Sequence, residues 1–307
     1  MKAVRIHAFG NSGVLKYEDA PDPVIGPDEV LVKVHACGVN PLDWKIREGF
    51  LEQMAHHALP LTLGWDVAGT VEQAGELVRR FRKGDAVICR PDTMKNGGYA
   101  EYIAVKTLDL APAPKSIPLD VAAGIPLASQ AAWMALFEVG GLKKGQNVLI
   151  HGASGGLGTF AVQFAKIAGA TVIGTTSAKN ADMVRSLGAD VTVDHVKDDF
   201  TKKVRDIDLV FDTIGGETQA KSWGVIRKGG VLVSSVGADE KAAAAHGVSG
   251  RSFVLASNGA RLEEISRLVD AVKVRVIVQK VFPLAEAKAA QDLSQSGHAA
   301  GKIILKI

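Results

Sequence analysis

Three stretches of this chain carry residue types whose spacing can do chemistry. The first runs from Val148 to Gly158. A short apolar run, Val148-Leu149-Ile150, ends in His151-Gly152-Ala153-Ser154-Gly155-Gly156-Leu157-Gly158, and an apolar helical pattern follows through Thr159, Phe160, Val162, Phe164, Ala165 and Ile167. Strand, glycine turn and helix in that order make a seat for a pyrophosphate. Glycines let the backbone approach closely, and the new helix presents unpaired N–H groups and the positive end of its dipole. Ser154, Gly155, Gly156 and Leu157 are the expected contacts. Ala153 stands where a dinucleotide fingerprint usually has its first Gly, so a tight turn that binds no nucleotide is the alternative reading.

The second stretch follows the next strand-like run and reads Ser177-Ala178-Lys179-Asn180, with no carboxylate before Asp182. An acid about 20 residues beyond the glycine turn commonly holds a ribose 2′-hydroxyl. Its absence favours a 2′-phosphate, and hence NADPH, with Ser177 donating a hydrogen bond and Lys179 supplying a charge. The alternative is a solvated lysine that opens a helix. The third stretch, Asn40-Pro41-Leu42-Asp43-Trp44-Lys45, follows an apolar strand. Read locally, it is an Asn-Pro turn leading into a helix with an exposed lysine.

The elements that must position these groups differ between the two halves. Up to about residue 110 the chain is cut into short strand-like runs at 30–34, 69–72, 86–89 and 99–105, separated by Gly26-Pro27-Asp28, Lys83-Gly84-Asp85 and Asn96-Gly97-Gly98. This predicts mostly antiparallel β structure. The proline-spaced segment from Ala111 to Pro118 marks a boundary, and a helix is expected over 120–139. Strands expected at 148–151, 171–175, 191–193, 208–212, 231–236 and 252–256 then alternate with helices. That pattern predicts a doubly wound parallel sheet. A helix over 260–271, a strand over 275–282, a helix over 285–293 and a strand over 302–307 should return to the β-rich half.

Composition narrows the function classes. Of 307 residues, 47% are hydrophobic, and the net charge is +3 from 36 basic and 33 acidic residues. No apolar run is long enough to cross a bilayer. No basic stripe argues for nucleic acid. Met1-Lys2-Ala3-Val4-Arg5-Ile6 enters a strand-like alternation with no signal-like apolar region, so a cytoplasmic location is the expectation. Cys37 and Cys89 are the only cysteines, which excludes a disulfide framework and a four-thiolate zinc site. The pair His56-His57 has no further ligand at helical spacing and is read as loop surface.

Five motifs in order, Cys37 to Asp43, Gly64-Trp65-Asp66-Val67-Ala68-Gly69, Phe81-Arg82-Lys83-Gly84-Asp85, His151 to Gly158 and Gly301-Lys302-Ile303, give the chain a resemblance over its whole length. It resembles the medium-chain dehydrogenase/reductase superfamily, within it the zinc-free quinone oxidoreductase and enone (alkenal) reductase branch. The resemblance implies an α/β protein: a GroES-like β-rich substrate domain over 1–120, a Rossmann domain over 121–257 and a C-terminal return over 258–307. Zinc alcohol dehydrogenases of this superfamily carry Cys where this chain has Asn40 and His where it has Trp65. Neither replacement is a usual zinc ligand, so no metal is expected. Without a Lewis acid, alcohol oxidation is a poor candidate. A quinone or an α,β-unsaturated carbonyl accepts hydride without a metal, because its own oxygen takes up the charge.

The resemblance also implies site roles. Asn40 stands at the mouth of the nicotinamide pocket, where its amide would polarise a substrate carbonyl or hold the nicotinamide. Lys45 stands where relatives have Tyr or Lys, which would make it a proton relay or carbonyl contact. Asp43 would orient the loop, and Trp65 would form an apolar wall for a planar acceptor or fill core. His195 falls where relatives often have a Tyr beside the adenosine phosphate, with a plain surface histidine as the alternative, and Lys302 is carried over as a cofactor contact. Where relatives often have a polar Thr, this chain has Ala131 beside Gln130. Partners implied are a small quinone or enone and a second copy of the chain as a homodimer. The competing readings are a non-catalytic NADPH-binding sensor or structural protein, and an enoyl-thioester reductase. The latter commonly has a pocket Tyr, and no Tyr lies in the Asn40 to Lys45 loop.

Overall fold

The computed structural model describes residues 1–52 and 56–307. The chain divides into two compact units, one of Met1–Gln130, Ser257–Val272 and Val276–Ile307, the other of Ala131–Ala256 and Lys273–Arg275. The first boundary lies after Gln130 rather than at 120/121. The cause is packing: helix Leu119–Ala122 lies against strands Glu29–Val39, Val67–Ala74 and Lys302–Lys306. Lys273–Arg275 join the second unit because Gln163 holds Arg275 through both its backbone groups, Nε2 donating to Arg275 O at 3.0 Å and Oε1 accepting from Arg275 N at 2.7 Å.

Among the described residues the first unit contains a 7-stranded sheet and a 3-stranded one. The central member of the larger sheet is Glu29–Val39, which pairs antiparallel with Val67–Ala74, Tyr102–Lys106 and Lys302–Lys306. Its burial alternates at first and becomes continuous from Ala36 to Val39, as a strand does when covered on both faces. Val278–Pro283 pairs parallel with Lys302–Lys306, so the tail completes this sheet. The run expected at 99–105 begins as a strand only at Tyr102, because Tyr99 N and Ala100 instead turn toward Leu63 and Ala3.

The second unit holds a six-stranded parallel sheet in the spatial order Val191–Asp194, Thr171–Thr176, Asn147–Ile150, Ile207–Asp212, Ile226–Ser234, Ser249–Ser252. In chain order this is 3-2-1-4-5-6, and the order reverses between Asn147–Ile150 and Ile207–Asp212. Ligands of such sheets bind beyond the carboxyl ends at that reversal. Val148, Leu149 and Ile150 are fully buried, which accounts for an uninterrupted apolar run where alternation would mark a half-exposed strand. The last strand lies at Ser249–Ser252, earlier than the apolar run at 252–256 suggested. It is a polar edge strand, and Val254 beyond it is 83% exposed.

The single helix expected over 120–139 is broken. Leu119–Ala122 stops, Pro126 opens a new helix to Trp133, and Met134–Val139 is π-helical. Proline has no N–H to give to a preceding turn, yet suits a first helical position.

Candidate active site

The first unit gathers a buried polar centre around the end of strand Glu29–Val39. That strand runs out at Asn40, and Pro41 starts helix Pro41–Arg47. The Asp43 carboxylate accepts from the Asn40 backbone N–H at 2.6 Å, closing the first turn. The Asn40 side chain is thereby left for other partners. Its Nδ2 donates to Asp66 Oδ2 at 2.8 Å, and its Oδ1 accepts from Lys302 Nζ at 2.5 Å. An ammonium cannot accept and a carboxylate cannot donate, so only this orientation of the amide satisfies both neighbours.

Lys302 also donates to Asp66 Oδ2 at 2.8 Å and Val39 O at 3.4 Å. All three of its donors are therefore spent within the first unit, and at 2% exposure it has none for a cofactor phosphate. The remaining oxygen of Asp66, Oδ1, accepts from Leu127 N at 2.5 Å, at the start of helix Pro126–Trp133, where a negative charge suits the helix dipole. Gly38 makes room for this arrangement. A Cβ there would stand 2.6 Å from Ala123 O and 2.8 Å from Asp66 Oδ2.

Asp43 is fully buried, and the Tyr99 hydroxyl donates to its Oδ2 at 2.9 Å while Oδ1 has no partner. Burial pushes the Asp43 carboxyl up to about 7, against the lowering effect of its hydrogen bonds to Asn40 and Tyr99. Burial likewise raises the Tyr99 hydroxyl and the Cys37 thiol well above their ordinary ranges, with the Asp43 charge adding to both. Cys37 is thus a protonated core thiol, poorly suited to attack by electrophiles.

Trp65, Lys45 and His57 make other contacts. Trp65 is fully buried among apolar neighbours and offers no open ring face, so its surroundings fit the core alternative rather than a wall for a ligand. Lys45 is half-buried, its Nζ 5.7 Å from the Trp44 ring centroid. His57 is not loop surface. It is 8% exposed, with Nδ1 2.8 Å from Glu52 Oε1 and Nε2 3.1 Å from Thr93 O. Asp66 and Tyr99 take part although sequence reasoning gave them no role. Asp66 was visible within the Gly64 to Gly69 motif, whereas nothing local to Tyr99 points to Asp43.

The second unit builds a different feature at the carboxyl ends of its strands. Gly155 caps helix Gly156–Ile167 in an extended conformation, and the first amide bonded back to the turn is Thr159 N to Gly155 O. The amides of Gly156, Leu157 and Gly158 are the unpaired donors of a helix start. A Cβ on Gly158 would lie 2.2 Å from Gly152 O, so glycine is needed for the helix to pack onto the turn. Ser154 Oγ accepts from Asn180 Nδ2 at 3.4 Å, joining the turn to the end of Thr171–Thr176. There Ser177 is half-buried, Lys179 is exposed, and exposed His195 gives its backbone N–H to Thr176 O at 3.1 Å.

Two observations in this unit point to a polar ligand. The buried Thr176 Oγ1 has no partner, and unpaired helix-start amides with a nearby cation are the donor set a phosphate requires. His151 fixes the turn from beneath. Its Nδ1 is 3.1 Å from Thr175 Oγ1 and its Nε2 2.9 Å from Ser222 Oγ, and burial lowers its pKa to about 4, so the ring is neutral. The residues present fit a dinucleotide phosphate backbone.

Family models match two segments, the alcohol dehydrogenase GroES-like domain over residues 26–115 and a zinc-binding dehydrogenase domain over 187–305. The chain is 35% identical to a mitochondrial NAD(P)H oxidoreductase, RTN4IP1, of Danio rerio, across 100% of this chain and 91% of that protein. It is 34% identical to the chloroplastic NADPH-dependent alkenal/one oxidoreductase of Arabidopsis thaliana, across 99% and 79% respectively. Among solved structures it is similar to the quinone oxidoreductase of Coxiella burnetii, with a TM-score of 0.93, 31% identity, and 100% and 99% of the two chains covered. Among the described residues no helix is long and apolar enough to cross a membrane.

Proposed function

The chain belongs to the medium-chain dehydrogenase/reductase superfamily, in its branch of quinone and enone reductases, and from that premise we propose that it is an NADPH-dependent, zinc-independent reductase of quinones or α,β-unsaturated carbonyls. The observation that carries the proposal is the Lys302–Asn40–Asp66 centre. Asn40 occupies a position that holds a metal ligand in the zinc enzymes, and its carbonyl oxygen is taken by an ammonium. A buried lysine there supplies positive charge without a metal.

NADPH, when bound, supplies the hydride. The protein's part is to stabilise the negative charge that then develops on the substrate oxygen. Asn40 has two Nδ2 hydrogens, and Asp66 accepts one of them. The other is the donor we assign to the substrate oxygen. Lys302 on Oδ1 draws electron density from the amide and strengthens that donor, and burial lowers the local dielectric in which it acts. The final proton can come from water. Ser154, Gly155, Gly156 and Leu157 would hold the pyrophosphate, and Ser177 and Lys179, with His195 nearby, the 2′-phosphate.

The test is NADPH oxidation by chelator-washed protein with a panel of quinones, short enones and enoyl thioesters. We expect turnover of the first two classes with no stoichiometric zinc present. Activity lost on zinc removal and restored by zinc would overturn the metal-free reading, and turnover of thioesters alone would overturn the substrate class. A homodimer and a cytoplasmic location remain parts of the proposal, to be read from solution mass and from cell fractionation.

A further inference from the structure

Among the described residues the first unit has two buried arginines, and they are treated very differently. Arg47 is fully buried and each of its nitrogens is occupied: Nε donates to Gly10 O at 3.1 Å, Nη1 to Gln291 at 2.7 Å, and Nη2 to Glu48 at 2.6 Å and Gln295 at 2.9 Å. Arg90 is 9% exposed; its Nε is buried without a partner, and among the described residues the side chain makes no hydrogen bond or ion pair. Burying a cation without partners is costly, and proteins retain such a group where something else pairs with it.

The position of Arg90 is defined by strand register. Cys89 pairs with Val67 on one side and Leu110 on the other, both antiparallel. One step on, Arg90 falls between Asp66 and Asp109. Asp66 cannot turn to it, because both its oxygens are committed to Leu127, Asn40 and Lys302. Burial pulls the guanidinium below its ordinary pKa, and the attraction of Asp66, Asp109 and Asp92 opposes this without cancelling it. A second orphan lies close by. Ser257 Oγ donates to Arg90 O at 2.8 Å, and the next residue, Asn258, gives its N–H to Gln130 Oε1 at 3.0 Å. Gln130 is fully buried and its Nε2 has no partner.

Arg90 through its carbonyl and Gln130 through Oε1 thus both hold the Ser257-Asn258 segment, each keeps a buried nitrogen without a partner, and Arg90 follows in register next to Asp66 of the active centre. We propose that Arg90, seconded by Gln130, recognises a carboxylate on the substrate, so that the preferred acceptors are enones or quinones bearing an anionic carboxylate near the reducible carbonyl. The planar guanidinium matches a carboxylate in bidentate geometry. The phosphates of the dinucleotide have their own donors in the second unit. This inference rests on the reductase reading for its substrate class, and on the buried unpaired donors for its chemistry.

The experiment compares trans-4-oxo-2-pentenoate with its methyl ester, in wild type, Arg90→Gln and Arg90→Met. Three readouts are taken: kcat/KM, calorimetric binding of each probe to the NADP⁺-loaded protein, and thermal stability. Wild type should favour the acid, and Arg90→Gln should lose about a hundredfold on the acid while leaving the ester unchanged, the size expected for a charge-assisted hydrogen-bonded pair. Arg90→Met should be at least as stable as wild type, since it removes an unpaired buried charge. Equal handling of acid and ester by wild type would overturn the inference. So would weaker NADPH binding in Arg90→Gln with discrimination intact, which would make Arg90 a cofactor contact, or a marked loss of stability in Arg90→Met, which would make it structural. Selective binding of the acid that Arg90→Gln abolishes, without turnover of any acceptor, would uphold the carboxylate site and remove the reductase reading. Turnover without discrimination would do the reverse.

Discussion

Lys302 Nζ stands 2.5 Å from Asn40 Oδ1, across 262 residues of sequence. This contact fixes which end of the Asn40 amide faces the ammonium and which faces Asp66. It turns a turn-forming residue into an oriented hydrogen-bond donor.

If that donor meets the substrate oxygen, Asn40→Ala should lower kcat/KM roughly 100-fold, near the loss seen when one oxyanion donor is removed, while NADPH binding is largely kept. Steady-state rates with the best acceptor, alongside cofactor titration, decide it. Full activity would place the carbonyl site elsewhere.

Removing the lysine exposes the dependence of the centre on its pairing. Lys302→Met leaves the buried Asp66 carboxylate without its counter-charge and should cost about 3–5 kcal/mol of stability, as breaking a buried pair does. Adding Asp66→Asn should recover part of the loss, because the stranded charge is then gone. Urea unfolding of the two single variants and the double variant measures the coupling, and simple additivity would argue against a paired centre.

Asp43 sets a pH dependence whose sign follows from burial. Its carboxyl titrates near 3.8 in an unfolded chain and at about 7 in the folded one, so between these values the folded state holds the extra proton. Its contribution to stability is therefore most favourable below about 4 and declines by about 1.4 kcal/mol per pH unit as pH rises to about 7. Asp43→Asn lacks this decline. The stability of the variant relative to wild type should rise from pH 5 to pH 8 and level off above, and a constant difference would assign the titration to another group.

Lys179 is exposed beside the end of Thr171–Thr176, where a 2′-phosphate would lie. Lys179→Ala should raise KM for NADPH roughly tenfold and leave NADH little changed, since only the former carries that phosphate. Equal effects on the two cofactors would remove the lysine from phosphate recognition.

Local pattern was enough for much of the architecture. The apolar run Val148-Leu149-Ile150 and the glycines after it define a strand, a turn and a helix, because each of those states is imposed by neighbours in sequence. The parallel sheet follows from alternation of strands and helices, which leaves crossover connections as the short solution. Two expectations failed for different reasons: Pro126, itself a local breaker, ended a helical run, whereas packing ended the sheet on the polar Ser249–Ser252 instead of the apolar residues after it.

Sequence by itself determined the chemical character of the glycine turn, the acid-free strand end and the absence of metal-ligand side chains at positions 40 and 65, since these depend only on which residues are present. The partners of Asn40 were decided by tertiary structure alone. Lys302, read from its motif as a cofactor contact, is drawn inward by the pairing of Lys302–Lys306 with Glu29–Val39. Tyr99 reaches Asp43 from 56 residues away, and Arg90 stays without an ion pair while Leu127, Asn40 and Lys302 hold the Asp66 carboxylate turned toward them. Which buried charge finds a partner depends on register and desolvation across distant strands, and these exist only once the sheet has closed.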